Sequence, residues 1–336
     1  MNVNYFIVVD NPESERVDSV VSLRRDNAKV IVNDGNMGAH LSRNVGFDAG
    51  RSEFVLFLDD DVEPDPGLLQ AYALVAAADS AAPGFVGVAG FPPPINSATK
   101  GVIASDILTF WDIARTRASL PWGVTANLLV RRSSAEDIRF SSQFPKWGGG
   151  EDVDYCLRII QRAGKWFASA PGAVVTHPWW NGGSRQYRRF ARWAYGDSRL
   201  PVLHPQYKFR NAPNMLESLL LGLLAFGVLA FAGLFQPWKI VAWVFAVILA
   251  ETAVEIVRLK ARWKSVSVRI ILEEMLVRLS NDAGRIVGHV RRGHIVGITE
   301  RFDYFMTGES IWYERKVAAT KFALFILAAF VVVFAA

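Results

Sequence analysis

Three consecutive carboxylates close an apolar run: Phe54 to Leu58 is followed at once by Asp59, Asp60 and Asp61. A continuous apolar run suits a strand buried in a parallel sheet, and the C-terminal edge of such a sheet is where open α/β folds place their ligands. Side chains alternate along an extended segment, so Asp59 and Asp61 share one side while Asp60 points away. Two like charges held together call for a cation between them. Oxygen ligation of this type suits Mg²⁺ or Mn²⁺, ions that usually arrive with a phosphate group. The strand end thus points to chemistry on a nucleotide or a diphosphate. A competing reading is an acidic turn capping the helix that begins near Pro66, since Asp-rich helix starts are common.

Further polar residues fall in a definite order around this strand. Upstream lie Asn36-Met37-Gly38 and then Arg43-Asn44-Val45-Gly46. Downstream, Trp147 and the loop Gly148-Gly149-Gly150 precede Glu151 and Asp152 at a helix start. His177 then ends the apolar stretch Ala173–Val175, and Arg185, Arg188, Arg189 and Arg192 interleave with Tyr187, Phe190 and Trp193. The glycines let backbone approach a ligand closely. A carboxylate in the first turn of a helix is also favoured by the helix dipole alone.

Taken together, these motifs resemble the inverting, GT-A-fold family 2 glycosyltransferases over about the first 200 residues of the chain. That family has an N-x-G loop, an R-N-x-G helix, an Asp-x-Asp strand end, a later Glu-Asp loop–helix and a closing His or basic segment. The resemblance implies an α/β, GT-A-like (Rossmann-like) nucleotide-sugar-binding domain with a mostly parallel sheet. It implies a nucleotide-sugar donor held by Asp10, Asn36, Gly38, Arg43, Asp59 and Asp60. It also implies a Mg²⁺ or Mn²⁺ ion held by Asp61 and Asp59, with His177 as third ligand. A neutral imidazole beside two carboxylates suits Mn²⁺, although a lone His at a strand end is as often a hydrogen-bonding residue. Inverting transfer needs a base for the acceptor hydroxyl, a role that falls to Asp152 with Glu151 beside it. The chain opens at what reads as the family's second strand; the P-x-Y-N strand that normally precedes it has no counterpart, which leaves a misassigned start, a truncated chain or a differently built nucleotide pocket as the open expectations.

Composition adds a membrane. Of the 336 residues 51% are hydrophobic, and the excess lies after residue 214. Met215–Phe235 and Trp238–Val257 each supply about 20 apolar residues, enough to cross a bilayer core. A third stretch near 320–336 is shorter. The net charge of +5 is concentrated between Arg258 and Lys316, between two apolar spans. By the positive-inside rule this places that segment and the N-terminal domain in the cytosol, and the chain is expected in the inner (cytoplasmic) membrane as a multi-pass protein. Basic and aromatic residues do not interleave as in single-strand binders, so nucleic acid is not an expected partner. The N-terminus carries no signal-peptide pattern. One cysteine, Cys156, excludes an internal disulfide; its spacing to Val153, Leu157 and Ile160 puts it on a helix stripe facing a core.

The expected organisation is a cytosolic domain over 1–204 and a membrane region over 205–336. Strands are predicted at Tyr5–Asp10, Lys29–Asn33, Phe54–Leu58, Phe85–Gly90 and Ala126–Arg131, with helices at Met37–Ala49 and Pro66–Ala77. An amphipathic interfacial segment covers 265–314, in which Val268, Ile271, Leu272, Met275, Leu276 and Leu279 share a helix stripe and Arg269, Glu273 and Arg278 take the other faces. Trp147, Arg189, Arg192 and Trp193 are the expected acceptor or interface residues. The last three sit where polysaccharide synthases of the superfamily carry Q-x-x-R-W, here Arg189-Phe190-Ala191-Arg192-Trp193. The expected activity is transfer of a sugar to a lipid-linked or membrane-proximal glycan acceptor. A processive synthase and a catalytically degenerate membrane partner subunit stay open beside it; oligomeric state is not readable.

Overall fold

The computed structural model describes residues 2–233, 236–263 and 266–334. Residues 234–235, 265 and 335–336 of the expected membrane segments lie outside these. The chain divides into two units, Met1–Pro93 with Ile107–Gly182, and Pro94–Asp106 with Gly183–Ala336.

The first unit opens with β1 (Tyr5–Val9), the short α1 (Val17–Val21), β2 (Ala28–Val32) and α2 (Ala39–Ala49). β1 and β2 pair in parallel, Tyr5 opposite Ala28 and Val9 opposite Val32, and form a sheet of their own. Then come β3 (Phe54–Leu58), β4 (Glu63–Pro64), α3 (Leu68–Ala78) and β5 (Gly84–Gly90). After α4 (Ser97–Ala104), which belongs to the second unit, the chain returns through α5 (Thr109–Asp112), β6 (Ser119–Leu120), β7 (Asn127–Arg131), α6 (Glu151–Ala163) and β8 (Phe167–Thr176). The main sheet runs β3-β7-β5-β8-β4, with β6 also on β8.

The expectation of a mostly parallel sheet is corrected. β5 and β8 pair in parallel, but β3–β7, β5–β7, β4–β8 and β6–β8 are all antiparallel, so the sheet is mixed. Two of these pairs arise because β7 returns between β3 and β5 in the opposite direction, and the other two because the short β4 and β6 run against β8. Among the described residues β3 pairs with β7 at one end of the strand order, and Leu58 is 40% exposed. Its apolar run serves ring packing: Phe57 meets the edges of Phe140 and Tyr155, which stack on each other at 4.0 Å. The fully buried strand is β5, where Phe85, Val86, Val88 and Ala89 are covered on both faces.

One buried amide ties this sheet together. Asn127 lies opposite Leu58 in the β3–β7 register, directly beneath the acidic turn. Its Nδ2 donates to the carbonyls of Val88 (3.0 Å) and Ala173 (2.9 Å), and its Oδ1 accepts from the Tyr72 hydroxyl at 2.7 Å. Position 87 has to be glycine for this, since a Cβ there would sit 2.3 Å from Asn127 Nδ2. Along α6, Val153, Cys156, Leu157 and Ile160 are buried as their spacing predicts. Burial pushes the Cys156 thiol up, which makes it a packing residue rather than a nucleophile.

The second unit is helical: α7 (Tyr187–Asp197), α8 (Leu200–Leu203), β9 (Lys208–Arg210), α9 (Met215–Phe231), α10 (Pro237–Arg262), α11 (Val268–Arg291), β10 (Glu300–Phe302) and α12 (Glu309–Phe334). α10 and the stretch Ile311–Phe334 are long and apolar enough to cross a membrane; α9, at 17 residues, is shorter. Phe226, Trp243, Val247, Phe325 and Val332 form the apolar contact among these three helices. Lys321 on α12 is buried against Glu251 (2.6 Å) and Glu255 of α10. α11 departs from its expected polar faces. Glu273 and Glu274 are buried, the first paired with Arg185 at 2.6 Å and the second with Arg258 at 2.5 Å, while Val268, Leu272 and Leu276 are exposed. The charged side of this helix faces protein because its partners are there, and part of its apolar stripe faces outward.

Candidate active site

The acidic turn and the end of β8 converge. Asp59, Asp61 and His177 each offer a ligand atom, and these atoms lie within 4.8 Å of one another. Asp60 and Asp61 sit in a turn rather than on a continuing strand, yet Asp59 and Asp61 still come together and Asp60 is exposed to solvent. β8 brings His177 to the same edge through its pairing with β5 and β4, where Thr176 lies opposite both Gly90 and Glu63.

The His177 ring is fixed by its surroundings. It is 2% exposed, its Nδ1 lies 2.7 Å from the Pro178 carbonyl, and its Nε2 lies 3.2 Å from Asp61 Oδ1. A carbonyl only accepts, so Nδ1 carries a proton and Nε2 is the ring nitrogen that faces the carboxylates; metal-binding histidines are oriented in this way. Phe91, Trp111 and Trp180 enclose the ring at centroid distances of 5.1, 5.2 and 5.3 Å. The Trp179 indole anchors the same shell by donating to the Pro92 carbonyl at 3.1 Å. Asp61 is half exposed and its carboxyl is raised above the usual range, by burial first and by Asp59 and Asp60 next, with His177 acting against them. Crowded carboxylates beside an oriented imidazole fit a divalent cation, so the donor set passes a chemical test for Mn²⁺ or a related ion.

The N-x-G and R-N-x-G residues lie on the β1–β2 side. Asp10, at the end of β1, does not point freely outward: its carboxylate accepts from the N–H groups of Met37 (2.8 Å) and Gly38 (3.0 Å), from Ser42 Oγ (2.8 Å) and from Asn33 (3.3 Å). Burial raises its pKa, but these four donors outweigh it and hold the carboxyl below the usual range. Gly38 has φ +91°, and a Cβ there would lie 2.7 Å from the Lys146 backbone. The Lys146 ammonium donates to the Asn36 carbonyl at 2.5 Å, so this loop packs on the segment leading to α6. On α2, Arg43 Nη2 contacts Asp59 Oδ1 at 2.8 Å and Arg43 Nη1 lies 3.9 Å from Glu151 Oε1.

Glu151 and Asp152 occupy the first turn of α6, after Gly148, Gly149 and Gly150, all with positive φ. Glu151 is buried and its Oε2 has no hydrogen-bond partner among the described residues. Asp152 is partly exposed and its Oδ1 accepts from the Val153 N–H at 2.9 Å. Trp147 is 48% exposed on the same loop. Arg189, Arg192 and Trp193 all lie on α7 in the second unit, where Arg192 is exposed and Trp193 meets Phe190 edge-on at 5.7 Å.

Sequence reasoning passed over His40 and the aromatic shell. His40, in the first turn of α2, is 1% exposed, and neither ring nitrogen has a partner among the described residues. Burial is the main cause that lowers its pKa, Arg43 adds to this, and Glu151 and Asp10 oppose it, so the ring is neutral. Its position one turn before Arg43 was the available signal. For Phe91, Trp111 and Trp180 no spacing rule brings them together; only the tertiary fold does.

Residues 1–138 match Glycosyl transferase family 2, the family that the motifs resemble. Among solved structures the chain is similar to GalNAc-T7 with UDP, GalNAc and Mn²⁺, at TM-score 0.43 and 14% identity, over 60% of this chain and 41% of that one. It is similar to S. aureus TarS 1–349 in complex with UDP, at TM-score 0.42 and 14% identity, over 87% and 83% of the two chains. It is also similar to the mannosyltransferase PcManGT from Pyrobaculum calidifontis in complex with GDP-Man and Mn²⁺, at TM-score 0.42 and 13% identity, over 98% and 78%. The chain thus spans about two fifths of the length of the first of these. No curated protein matches it.

Proposed function

We propose that this protein is a membrane-anchored, metal-dependent inverting glycosyltransferase that moves a sugar from a nucleotide-sugar donor to a lipid-linked or membrane-proximal glycan acceptor. The observation that carries this reading is the meeting of Asp59, Asp61 and His177 at one edge of the main sheet, with the acidic turn inside the stretch that matches family 2. Asp59, Asp61 and His177 would hold Mn²⁺ or Mg²⁺. The ion supplies positive charge where a leaving diphosphate gains negative charge.

The chain's own residues do the rest. The Asn36–Gly38 loop, shaped by Asp10, and Arg43 hold the donor, with Asp60 at the rim. Asp152 takes the proton from the acceptor hydroxyl as its oxygen forms the new bond to the anomeric carbon and the bond to the diphosphate breaks. Trp147 offers an exposed ring face to a sugar. Arg192 and Trp193, with Arg189, serve the acceptor or the membrane interface. α9, α10 and α12 would cross the inner membrane, with a catalytic domain over 1–204 and the segment Arg258–Lys316 on the cytosolic side and a membrane region over 205–336.

A second reading, a transferase-like partner subunit without activity, is favoured by two observations. The β1–β2 pair is separate from the main sheet, and Asp10 is engaged by four internal donors. The deciding experiment is a screen of nucleotides and nucleotide sugars by thermal shift in detergent, with Mn²⁺, Mg²⁺ or chelator, followed by assay of nucleoside diphosphate release. Metal-dependent stabilisation by a nucleoside diphosphate, abolished in Asp61→Asn, supports the enzyme. A protein that binds Mn²⁺ but responds to no nucleotide is the partner subunit instead.

A further inference from the structure

Arg43 stands between two carboxylates and satisfies only one. Its Nη2 is 2.8 Å from Asp59 Oδ1, and its Nη1 is 3.9 Å from Glu151 Oε1. The first contact uses a carboxylate that also belongs to the Asp59–Asp61–His177 cluster. The second carboxylate is the anomaly. Glu151 has a side chain 10% exposed, Oε2 has no hydrogen-bond partner among the described residues, and its buried neighbour His40 is neutral and hydrogen-bonded to nothing there. A buried carboxylate oxygen without a donor is costly, and Arg43 is the cation that faces this carboxylate, at 3.9 Å. The fold keeps it where Arg43 can reach: α2 carries Arg43 and the first turn of α6 carries Glu151. The two elements are clamped by the Asn36–Lys146 contact and by Asn44, which pairs with the Phe140 backbone through bonds of 2.8 and 2.9 Å.

We propose that Asp59 and Glu151 are alternative partners for one guanidinium, so that Arg43 turns from Asp59 toward Glu151 when a divalent cation takes the Asp59–Asp61–His177 site. Glu151 is then a positioning residue rather than a base. It accepts the cation that has to leave Asp59, and in doing so sets how strongly the site binds metal. The guanidinium suits this task because its fork of donors can face two carboxylates at once, and a small rotation exchanges which one is paired closely. The inference rests on the metal-site reading in the proposed function but not on the identity of the donor or the acceptor.

The test uses the full chain in detergent and Mn²⁺ alone, with free Mn²⁺ followed by its electron paramagnetic resonance signal and no nucleotide present. Arg43→Gln removes the competitor and is expected to tighten Mn²⁺ binding about tenfold, the scale of one unit charge close to a divalent ion in a mostly aqueous surrounding. Glu151→Gln takes away the alternative partner and is expected to weaken binding severalfold, while Glu151→Asp, which keeps the charge, stays near wild type. The double variant separates this from a general loss of structure: Glu151→Gln should have no effect once Arg43 is Gln, because it acts only through the arginine. Weaker Mn²⁺ binding in Arg43→Gln overturns the proposal and makes Arg43 a support for Asp59. An effect of Glu151→Gln that persists in the double variant overturns it too. If the wild-type chain binds no Mn²⁺, the metal site itself is wrong and the proposal falls with it, a result distinct from binding with additive variants.

Discussion

Replacing Asn127 by Leu keeps the shape of the side chain and removes every bond that it makes. Three buried partners then lose an interaction: the carbonyls of Val88 and Ala173 lose a donor, and the Tyr72 hydroxyl loses its 2.7 Å acceptor. The hydroxyl keeps a poorer contact to the Asn127 backbone carbonyl at 3.1 Å. With each stranded buried group costing about 1–3 kcal/mol, and the hydroxyl partly rescued, the loss is about 3 kcal/mol. In a domain of this size that lowers the Tm by roughly 6–12 °C. Thermal unfolding in detergent, followed by tryptophan fluorescence, measures it. Tyr72→Phe alone should cost about 1 kcal/mol because it strands Asn127 Oδ1, yet it should cost nothing further in Asn127→Leu, where the hydroxyl has already lost its main partner. A Tm within about 2 °C of wild type for Asn127→Leu would refute the argument that this amide ties β5, β7 and β8 together. Additive losses in the double variant would refute the direct Tyr72–Asn127 coupling.

Four shorter expectations complete the set. Asp61→Asn should abolish Mn²⁺ binding without nucleotide, and full binding in this variant would remove Asp61 from the site. Because the Asp61 carboxyl is raised, protons compete for it at a higher pH than for an ordinary aspartate; Mn²⁺ affinity should fall as pH drops through that raised value, by about tenfold per unit beyond it, and a flat profile down to pH 4 would contradict this. Asp152→Asn should cost at least about 100-fold in turnover with donor affinity unchanged, and loss of donor affinity at normal turnover would reassign it to substrate holding. A reporter fused after Lys316 should behave as cytosolic and one after the final residue as external, while two reporters on the same side would show that α12 does not cross.

The sequence made some parts of this molecule legible and hid others, for physical reasons. Periodicity located β1, β2, β3, β5 and β7 and the helices α2 and α3 to within two residues or so, because local patterns of apolar residues decide local structure. It also found the buried stripe of α6. Strand direction was not legible. An apolar run such as Phe54–Leu58 is needed equally by a strand in a parallel interior and by one that packs rings on an antiparallel neighbour. The order of polar motifs anticipated the carboxylates of the candidate site, since Asp59 and Asp61 lie two positions apart in the chain. The shell that orients His177 was hidden, because Phe91, Trp111 and Trp180 come from three separate segments. Glu273 was assigned by charge to a polar face of an amphipathic helix, yet its partner Arg185 lies 88 residues away in sequence and draws it inside.

The candidate site is assembled from two supports of unequal strength. Asp59, Asp61 and His177 rest on the six-stranded sheet, where β5 is buried on both faces and Asn127 bridges strands. Asp10, Asn36, Gly38 and Arg43 rest on β1, β2 and α2, and the residues of β1 are all at least partly exposed. Two strands alone make a marginal sheet, so pairing alone does not hold this half in place. What holds it is side chains crossing from α2 to the segment after β7. Asn44 pairs with both backbone groups of Phe140, Arg132 donates to the Phe47 carbonyl at 2.9 Å, and Arg139 grips Asp48 at 2.6 Å. The asparagine of the R-N-x-G motif is therefore structural here, and its neighbour Arg43 is free to do chemistry because Asn44 bears the load of attachment. This division places the donor-side residues on a two-stranded sheet of their own, and the Arg43 guanidinium links them to the Asp59 carboxylate.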